Sequence, residues 1–141
     1  MTTINDLAIA WRKHCMRSLT EMPDLLRRIL EELEDLGYAE KDLFGIRLAI
    51  EEALVNAVKH GNRGDSAKLV RVRYQAAEDQ FMIEIEDEGP GFRPEEVPDP
   101  LAPENFERAC GRGLLLMEHY MTWVQYNDAG NGVTLCKIIR A

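Results

Sequence analysis

The chain has 141 residues, a formal net charge of −8, 45% hydrophobic and 30% charged residues. This length suits a single domain spanning 1–141, and the composition excludes a disordered or fibrous protein. The acidic charge argues against nucleic acid as a partner, because binding its phosphates requires a basic surface.

The same patterns predict a cytoplasmic protein. No apolar run reaches the roughly 20 residues of a membrane span, so no membrane association is expected. The N-terminus lacks the layout of a secretory signal. The three cysteines are an odd number without metal-ligand spacing, which fits a reducing compartment.

Two helices are predicted in the first half of the chain. Residues 18–21 have capping-box spacing ahead of apolar residues at helical intervals, and Gly37 ends that helix. A second helix is expected from about Glu40 to His60, with Gly61 as its stop. Residues 7–16 are ambiguous, with an edge strand as one interpretation.

The second half of the chain predicts a sheet and one more helix. Residues 68–76 and 80–87 alternate as strands do, and 113–121 have the pattern of a helix. A closing hairpin is expected around residues 129–131. Residues 88–110, rich in Gly, Pro and acids, form a long connection. This order predicts an α+β fold, a two-layer sandwich with helices on one face of a mostly antiparallel sheet.

A narrow strip with small and polar residues runs along the second helix, opposite its apolar arc. Its members are Gly45, Ala49, Glu52, Asn56 and Lys59. Asn56 is a poor helix former, costing up to about 0.7 kcal/mol relative to alanine. It lies one turn after Glu52, so the two side chains share a face. The strip is interpreted either as the floor of a cavity or as an ordinary solvated face.

Two glycine motifs follow. Asp87, Gly89 and Gly91 form a D-x-G-x-G pattern at a strand end, where glycine allows close approach of the backbone to a ligand. Gly111 and Gly113 form a G-x-G pattern at the expected start of a helix, where free N–H groups bind phosphate. An ordinary Gly/Pro turn and a tight helix entry are the respective alternatives.

In this order the motifs resemble those of the Bergerat-fold (GHKL) ATPases, the superfamily of gyrase, heat-shock protein 90, histidine kinases and MutL. The resemblance runs from about residue 40 to the C-terminus. The wording E-E-A-L-V-N-A-V-K-H-G-N and E-R-x-x-G-R-G-L-x-L-M looks like one branch. That branch is the anti-sigma factor serine/threonine kinases of bacterial partner switching.

The resemblance implies roles for residues at the phosphate end of an ATP site. Asn56 would ligate Mg²⁺, which suits an oxygen donor. Glu52 would act as the general base toward a serine hydroxyl. The groups expected to shape the lid or face the phosphates are Gly111, Gly113, Arg108 as a lid cation that binds phosphate bidentately, and, more weakly, Lys59.

At the base end, the resemblance implies that Asp87 receives the adenine amino group and that Gly89 and Gly91 allow its close approach. One departure concerns the last strand, where the family usually has G-T-T-V. Gly132 falls where the base-holding threonine is expected. Thr134, two residues on and therefore on the same strand face, is the candidate substitute. A weaker adenine contact is the alternative.

The implied function is a kinase that binds Mg-ATP, phosphorylates a STAS-type anti-anti-sigma protein and sequesters a sigma factor. A homodimer is expected from the family alone. An ATP-gated regulatory module without phosphotransfer, and a binding domain that has lost nucleotide, remain alternatives.

Overall fold

The computed structural model describes residues 10–91 and 109–139. The first three elements are the strand β1 (Arg12–Met16), a 3-10 turn (Leu19–Glu21) and the helix α1 (Met22–Asp35). The helix α2 (Glu40–Val55) continues into a π-helical turn (Asn56–Gly61). The remaining elements are β2 (Val70–Ala76), β3 (Gln80–Glu86), α3 (Ala109–Tyr120), β4 (Trp123–Tyr126) and β5 (Gly132–Ile138).

The five strands form one antiparallel sheet in the order β1-β2-β3-β5-β4. β1 pairs with β2 at one edge, which confirms the edge-strand interpretation of the ambiguous N-terminal segment. Both predicted strands before the long connection and the closing hairpin are confirmed. The central position of β3 brings its C-terminal end, and the Asp87 that follows, beside the β4–β5 turn.

The core lies between one face of the sheet and the helices. Every second residue of β2 and β3 is buried, as expected when one face of an antiparallel sheet is covered. The helices contribute apolar stripes at helical spacing, and the fully buried side chains include Ile29, Leu33, Ile46, Ile50, Leu54, Phe81, Ile83 and Leu135. The α+β prediction is confirmed. Within the described ranges, no helix has the length and apolarity needed to cross a bilayer.

The predicted capping box is present, and it caps the 3-10 turn that precedes α1. Ser18 Oγ accepts a hydrogen bond from Thr20 N at 3.1 Å, and Glu21 Oε2 accepts one from Ser18 N at 3.1 Å. Both bonds cap the 3-10 turn, which leads directly into α1. The reciprocal pair satisfies amides that would otherwise lack partners, so this turn defines where α1 begins.

Candidate nucleotide-binding site

The second helix changes its hydrogen-bonding pattern at Asn56. From Asn56 to Gly61 the chain forms a π-helical turn, closed by a bond of 2.8 Å from Asn62 N to Ala57 O. A π-turn accommodates one more residue than an α-helical turn, and such turns occur frequently at functional sites. The wider turn determines which side chains after Asn56 face the sheet end.

Glu52 and Asn56 form a partly buried pair on adjacent turns. Asn56 donates a side-chain hydrogen bond to the Glu52 carboxylate, which lowers the pKa of Glu52, but burial has the larger effect and the net pKa is raised. Asn56 Oδ1 is buried and accepts no hydrogen bond from any residue that the structure describes. A buried, unpaired amide oxygen costs free energy and calls for an explanation, such as a missing ligand.

The strip that contains this pair faces α3 from Gly45 to Glu52, whereas its last member, Lys59, is exposed. A Cβ atom added to Gly113 would overlap the Glu52 carboxylate, and one added to Gly45 would lie 2.7 Å from a ring carbon of Tyr120. Ala49, between them, is fully buried. The small residues therefore allow two helices to approach closely, and the solvated-face alternative is wrong for the part of the strip from Gly45 to Glu52.

The second glycine motif lies inside α3. The helix begins at Ala109, so Gly111 and Gly113 belong to its first two turns and do not precede it. The expectation that the G-x-G pattern opens the helix is corrected on this point, because Gly113 is too far into the helix for its N–H to be a free first-turn donor. The structure shows Gly113 as the position that makes room for Glu52.

A second group of contacts in the site surrounds Asp87, the residue after β3. Its Oδ1 accepts a hydrogen bond of 2.7 Å from Gly89 N, which lowers its pKa, while burial raises the pKa by more. Gly61 lies against the carboxylate so closely that any Cβ there would overlap it. Asn131 fixes the Asp87 backbone from the hairpin, since Asp87 N donates to Asn131 O at 2.9 Å. Asp87 is therefore held from three directions.

Asn62 connects the π-turn to the D-x-G-x-G segment, and the sequence analysis missed it. Its side chain, in a residue that is 2% exposed, accepts from Glu88 N at 2.8 Å and donates to Leu69 O at 3.0 Å. Glu88 in turn accepts from Leu69 N at 2.6 Å. The only sequence signal is the polar residue directly after the helix stop, and that signal does not reveal burial.

These elements enclose a pocket of about 200 Å³. Its lining is shared by the π-turn, the segment after β3 and the β4–β5 hairpin, and includes Asn56, His60, Gly61, Arg63, Asp87, Gly91, Asn131 and Val133. The structure thus brings Asn56, Asp87 and Gly91 to one cavity. Glu52, Gly89 and Gly113 adjoin it through the contacts above. Arg108 lies outside the described residues.

Lys59 and Thr134 are two predicted site residues that neither line this pocket nor take part in the contacts described above. Lys59 is exposed elsewhere on the π-turn, and His60 lines the pocket in its place. The expectation for Lys59 assumed 100° per residue, which fails where the helix widens. Because the expectation rested on α-helical geometry, we correct it.

Thr134 faces the opposite side of the sheet. It lies between Glu84 and Gln125 in the strand register, where it borders a wider groove of about 670 Å³ on the helix-free face. The β5 side chain directed into the core and pocket is Val133, which is 7% exposed. Gly132 borders both cavities, but Thr134 borders only the groove on the helix-free face, so the expected placement of Thr134 is also corrected. We take the smaller pocket as the candidate site because it is lined by Asn56, whose buried oxygen has no partner among the described residues, and by Asp87.

Gly89→Ala is expected to disrupt the base end of the pocket. A Cβ at this position would overlap the backbone carbonyl of Gly61, which cannot move without shifting the π-turn. Gly37→Ala is the matched control, since Gly37 has φ +94 but nothing within 4 Å of an added Cβ. The control should lose about 1 kcal/mol of unfolding free energy from backbone strain alone.

Chemical denaturation measures both variants. We expect Gly89→Ala to lose more unfolding free energy than Gly37→Ala, because steric overlap with backbone adds to any conformational cost. Equal or smaller loss in Gly89→Ala would show that the contact with Gly61 is not a constraint on the fold.

The sequence matches the model of the histidine kinase-like ATPase domain over residues 17–137. The chain belongs to this family. It is 32% identical over 111 residues to the serine-protein kinase RsbW of Bacillus licheniformis, covering 74% of this chain and 69% of the relative. It is 32% identical over 99 residues to the anti-sigma F factor of Clostridium perfringens, covering 67% of this chain and 70% of the relative. The resemblance to the anti-sigma kinase branch is thereby confirmed.

The histidine kinase-like ATPase domain implies a site for ATP, and the described pocket is where this chain's matching motifs converge. Glu52 and Asn56 come from α2 and its π-turn. The D-x-G-x-G motif supplies Asp87, Gly89 and Gly91 after β3, and the G-x-G motif supplies Gly113 in α3. Helix, strand end and hairpin thus each contribute one wall.

Proposed function

We propose that the pocket binds Mg-ATP and that the protein is a serine/threonine protein kinase. Its substrate would be a STAS-type anti-anti-sigma protein, and it would also sequester a sigma factor. The observation that supports this best is the pair of Glu52 and Asn56, a half-buried carboxylate beside a buried amide oxygen that lacks a partner. The names of the relatives, serine-protein kinase and anti-sigma F factor, support the same proposal.

The donor chemistry of Asn56 fits Mg²⁺. Magnesium prefers oxygen ligands and takes only one or two from a protein when nucleotide phosphates supply others. Asn56 Oδ1 is such an oxygen, already desolvated and unpaired. When bound, the ion would neutralise phosphate charge. Asn56 would hold it, and the hydrogen bond from Asn56 to Glu52 would orient the amide so that the oxygen remains available.

Glu52 is proposed as the general base. The serine oxygen of the partner would attack the γ-phosphorus of ATP, the bond from that phosphorus to the β–γ bridging oxygen would break, and ADP would leave. Glu52 would take the serine proton. Burial raises the pKa of Glu52 toward the operating pH, which improves a base as long as the carboxylate is still ionised. Positioning and charge neutralisation would supply the rest of the rate enhancement.

The lid and phosphate contacts remain part of the proposal. Gly111 and Gly113 would bring the start of α3 close to the phosphates, and Arg108 would supply a positive charge there. Lys59 and Thr134 are not included, because Lys59 is exposed and Thr134 borders the groove on the helix-free face of the sheet. The proposed site is otherwise the one that the sequence motifs predict.

Asp87→Asn is expected to weaken ATP binding and to alter base preference. Asp87 Oδ1 already accepts from Gly89 N at 2.7 Å, so an asparagine would keep its oxygen there and turn its NH₂ toward the base. The NH₂ group of the new side chain and the adenine amino group are both donors, so they could not hydrogen-bond to each other. Loss of a hydrogen bond to a charged group predicts about tenfold weaker ATP binding or more. Inosine triphosphate, which presents an acceptor at that position, should be affected less.

Competitive titration of wild type and Asp87→Asn with the two nucleotides measures this preference. The fold should tolerate the change, because burial raises the pKa of Asp87 and asparagine carries no charge to desolvate. Unchanged ATP affinity in a folded variant would show that the base does not contact Asp87.

Transfer of labelled γ-phosphate to a STAS-type protein tests the kinase proposal directly. We expect label on a serine of the partner, dependent on Mg²⁺ and on Glu52.

Cross-linking in the same mixtures would report the homodimer that we propose as the working form. Cell fractionation would test the proposed cytoplasmic location. Binding of a sigma factor should respond to the phosphorylation state of the partner.

An ATP-gated regulatory module without phosphotransfer is the second candidate. The observation that favours it is that Glu52 is engaged by Asn56 and lies against Gly113, as a purely structural carboxylate would. ATP binding without any label transfer to a partner would support this candidate over the kinase.

A further inference from the structure

Arg63 occupies a backbone conformation that usually selects glycine. Its φ is +55°, and among the described residues it is the sole non-glycine with positive φ. It follows Asn62, which caps the π-turn, and Gly64 N donates to Val58 O at 2.8 Å to close the helix end. Glycine is the common residue at such a left-handed position. Folding alone would therefore favour glycine at position 63, so the presence of an arginine there calls for another explanation.

The Arg63 side chain lines the pocket described above. It is exposed, and it makes no hydrogen bond or ion pair with any other residue that the structure describes. Among the described lining residues it is the single Lys or Arg. The pocket is also lined by Asp87, and the protein carries a net charge of −8. A backbone outlier at a pocket rim is a reasonable starting point for a functional hypothesis.

The position of Arg63 corresponds to the base end of the pocket. Asn56, the proposed phosphate-end residue, begins the π-turn, and Arg63 follows that turn's last residue by two positions. Its neighbour Asn62 is bonded to Glu88 N, directly after Asp87. Arg63 thus adjoins the residue that holds the Asp87 segment, and along the chain the whole π-turn separates it from Asn56. This position favours a contact with the base over a contact with the terminal phosphates.

We propose that Arg63 binds the nucleobase by packing its planar guanidinium against the ring face. This rests on the proposed function, since it assumes that the pocket holds a nucleotide. Guanidinium groups stack on aromatic systems and are attracted to their faces. Asp87 would read the edge of the base while Arg63 covers its face.

Three substitutions separate this role from a structural one. Arg63→Gly removes the side chain and relieves the backbone, so its melting temperature should rise or stay level. Arg63→Ala removes the side chain and keeps the backbone cost. Arg63→Lys keeps the charge without the planar face. We expect Arg63→Gly and Arg63→Ala to weaken nucleotide binding equally, by roughly threefold to tenfold. Arg63→Lys should have an intermediate effect.

Titrations with ATP, and with adenosine followed by ¹H–¹⁵N NMR, measure these affinities, each with and without Mg²⁺. The proposal requires the same fold-loss for adenosine as for ATP, independent of Mg²⁺, because the contact is with the base. Loss confined to ATP would overturn it in favour of a phosphate contact. Unchanged adenosine affinity in Arg63→Gly, or affinity that follows melting temperature across the variants, would also overturn it. Failure of wild type to bind either ligand would instead refute the proposed function.

Discussion

Glu52→Gln is expected to abolish phosphotransfer while ATP binding stays within a few-fold of wild type. The amide keeps the shape of the side chain and its place against Gly113 but cannot take a proton. General-base catalysis contributes typically about 10²- to 10⁴-fold, so the transfer rate should fall by that order. Single-turnover transfer from labelled ATP to a STAS-type partner measures the effect.

The same substitution should stabilise the fold at neutral pH. Because burial raises the pKa of Glu52, the unfolded chain loses this proton at a lower pH than the folded chain does. Stability contributed by this group is therefore full below the unfolded pKa of about 4.3 and falls as pH rises through the folded pKa. The glutamine side chain of the variant does not titrate, so the gain should be present at pH 7 and vanish near pH 4.

Glu51→Gln is the matched control for both effects. Glu51 precedes Glu52 on the same helix, but the carboxylate that lies against Gly113 and accepts from Asn56 is that of Glu52. It should leave the transfer rate and the unfolding free energy at pH 7 unchanged. A Glu52→Gln variant with the wild-type transfer rate would exclude Glu52 as the base, and a loss of stability at pH 7 would contradict the desolvation argument.

Asn56→Ala is expected to remove the dependence of ATP affinity on Mg²⁺. Wild type should bind ATP more tightly with the ion, because Asn56 Oδ1 is positioned as an unpaired oxygen ligand. In Asn56→Ala, the affinity for ATP in the presence of Mg²⁺ should fall roughly tenfold or more. Changes around metal ligands commonly cause losses of this size. Affinity in the absence of Mg²⁺ should change little, which makes each variant its own control.

Folding of Asn56→Ala separates this effect from damage to the helix. Alanine has higher helix propensity, by up to about 0.7 kcal/mol, and the change removes a buried oxygen without a partner. These gains oppose the loss of the hydrogen bond from Asn56 to Glu52, so we expect thermal stability close to that of wild type. A stable variant with wild-type Mg²⁺ dependence would show that Asn56 does not ligate the ion.

The parts of the site that sequence predicts correctly are those fixed by local geometry. Glu52 and Asn56 share a helix face because four residues complete about one turn, whatever the rest of the fold does. Asp87 directly follows a strand whose alternation is visible in the sequence, and the glycines after it indicate a close approach of the backbone to a ligand. The order of helices and strands then restricts the fold to helices on one face of a sheet.

The parts that sequence misses depend on nonlocal geometry. The π-turn replaces Lys59 with His60 at the pocket because the helix widens after Val55, and no periodicity in the sequence signals this. Thr134 faces away because strand alternation, counted from the pairing with β3, directs Val133 inward. The burial of Asn62 arises from contacts with a strand end 26 residues away along the chain.

Calorimetric titration of the wild-type protein with ATP, with and without Mg²⁺, tests the central claim most directly. If the pocket is a Mg-ATP site, binding should be saturable at one nucleotide per chain and should tighten when Mg²⁺ is added. No binding at millimolar ATP in either condition would contradict the nucleotide site, and with it the kinase proposal for this chain.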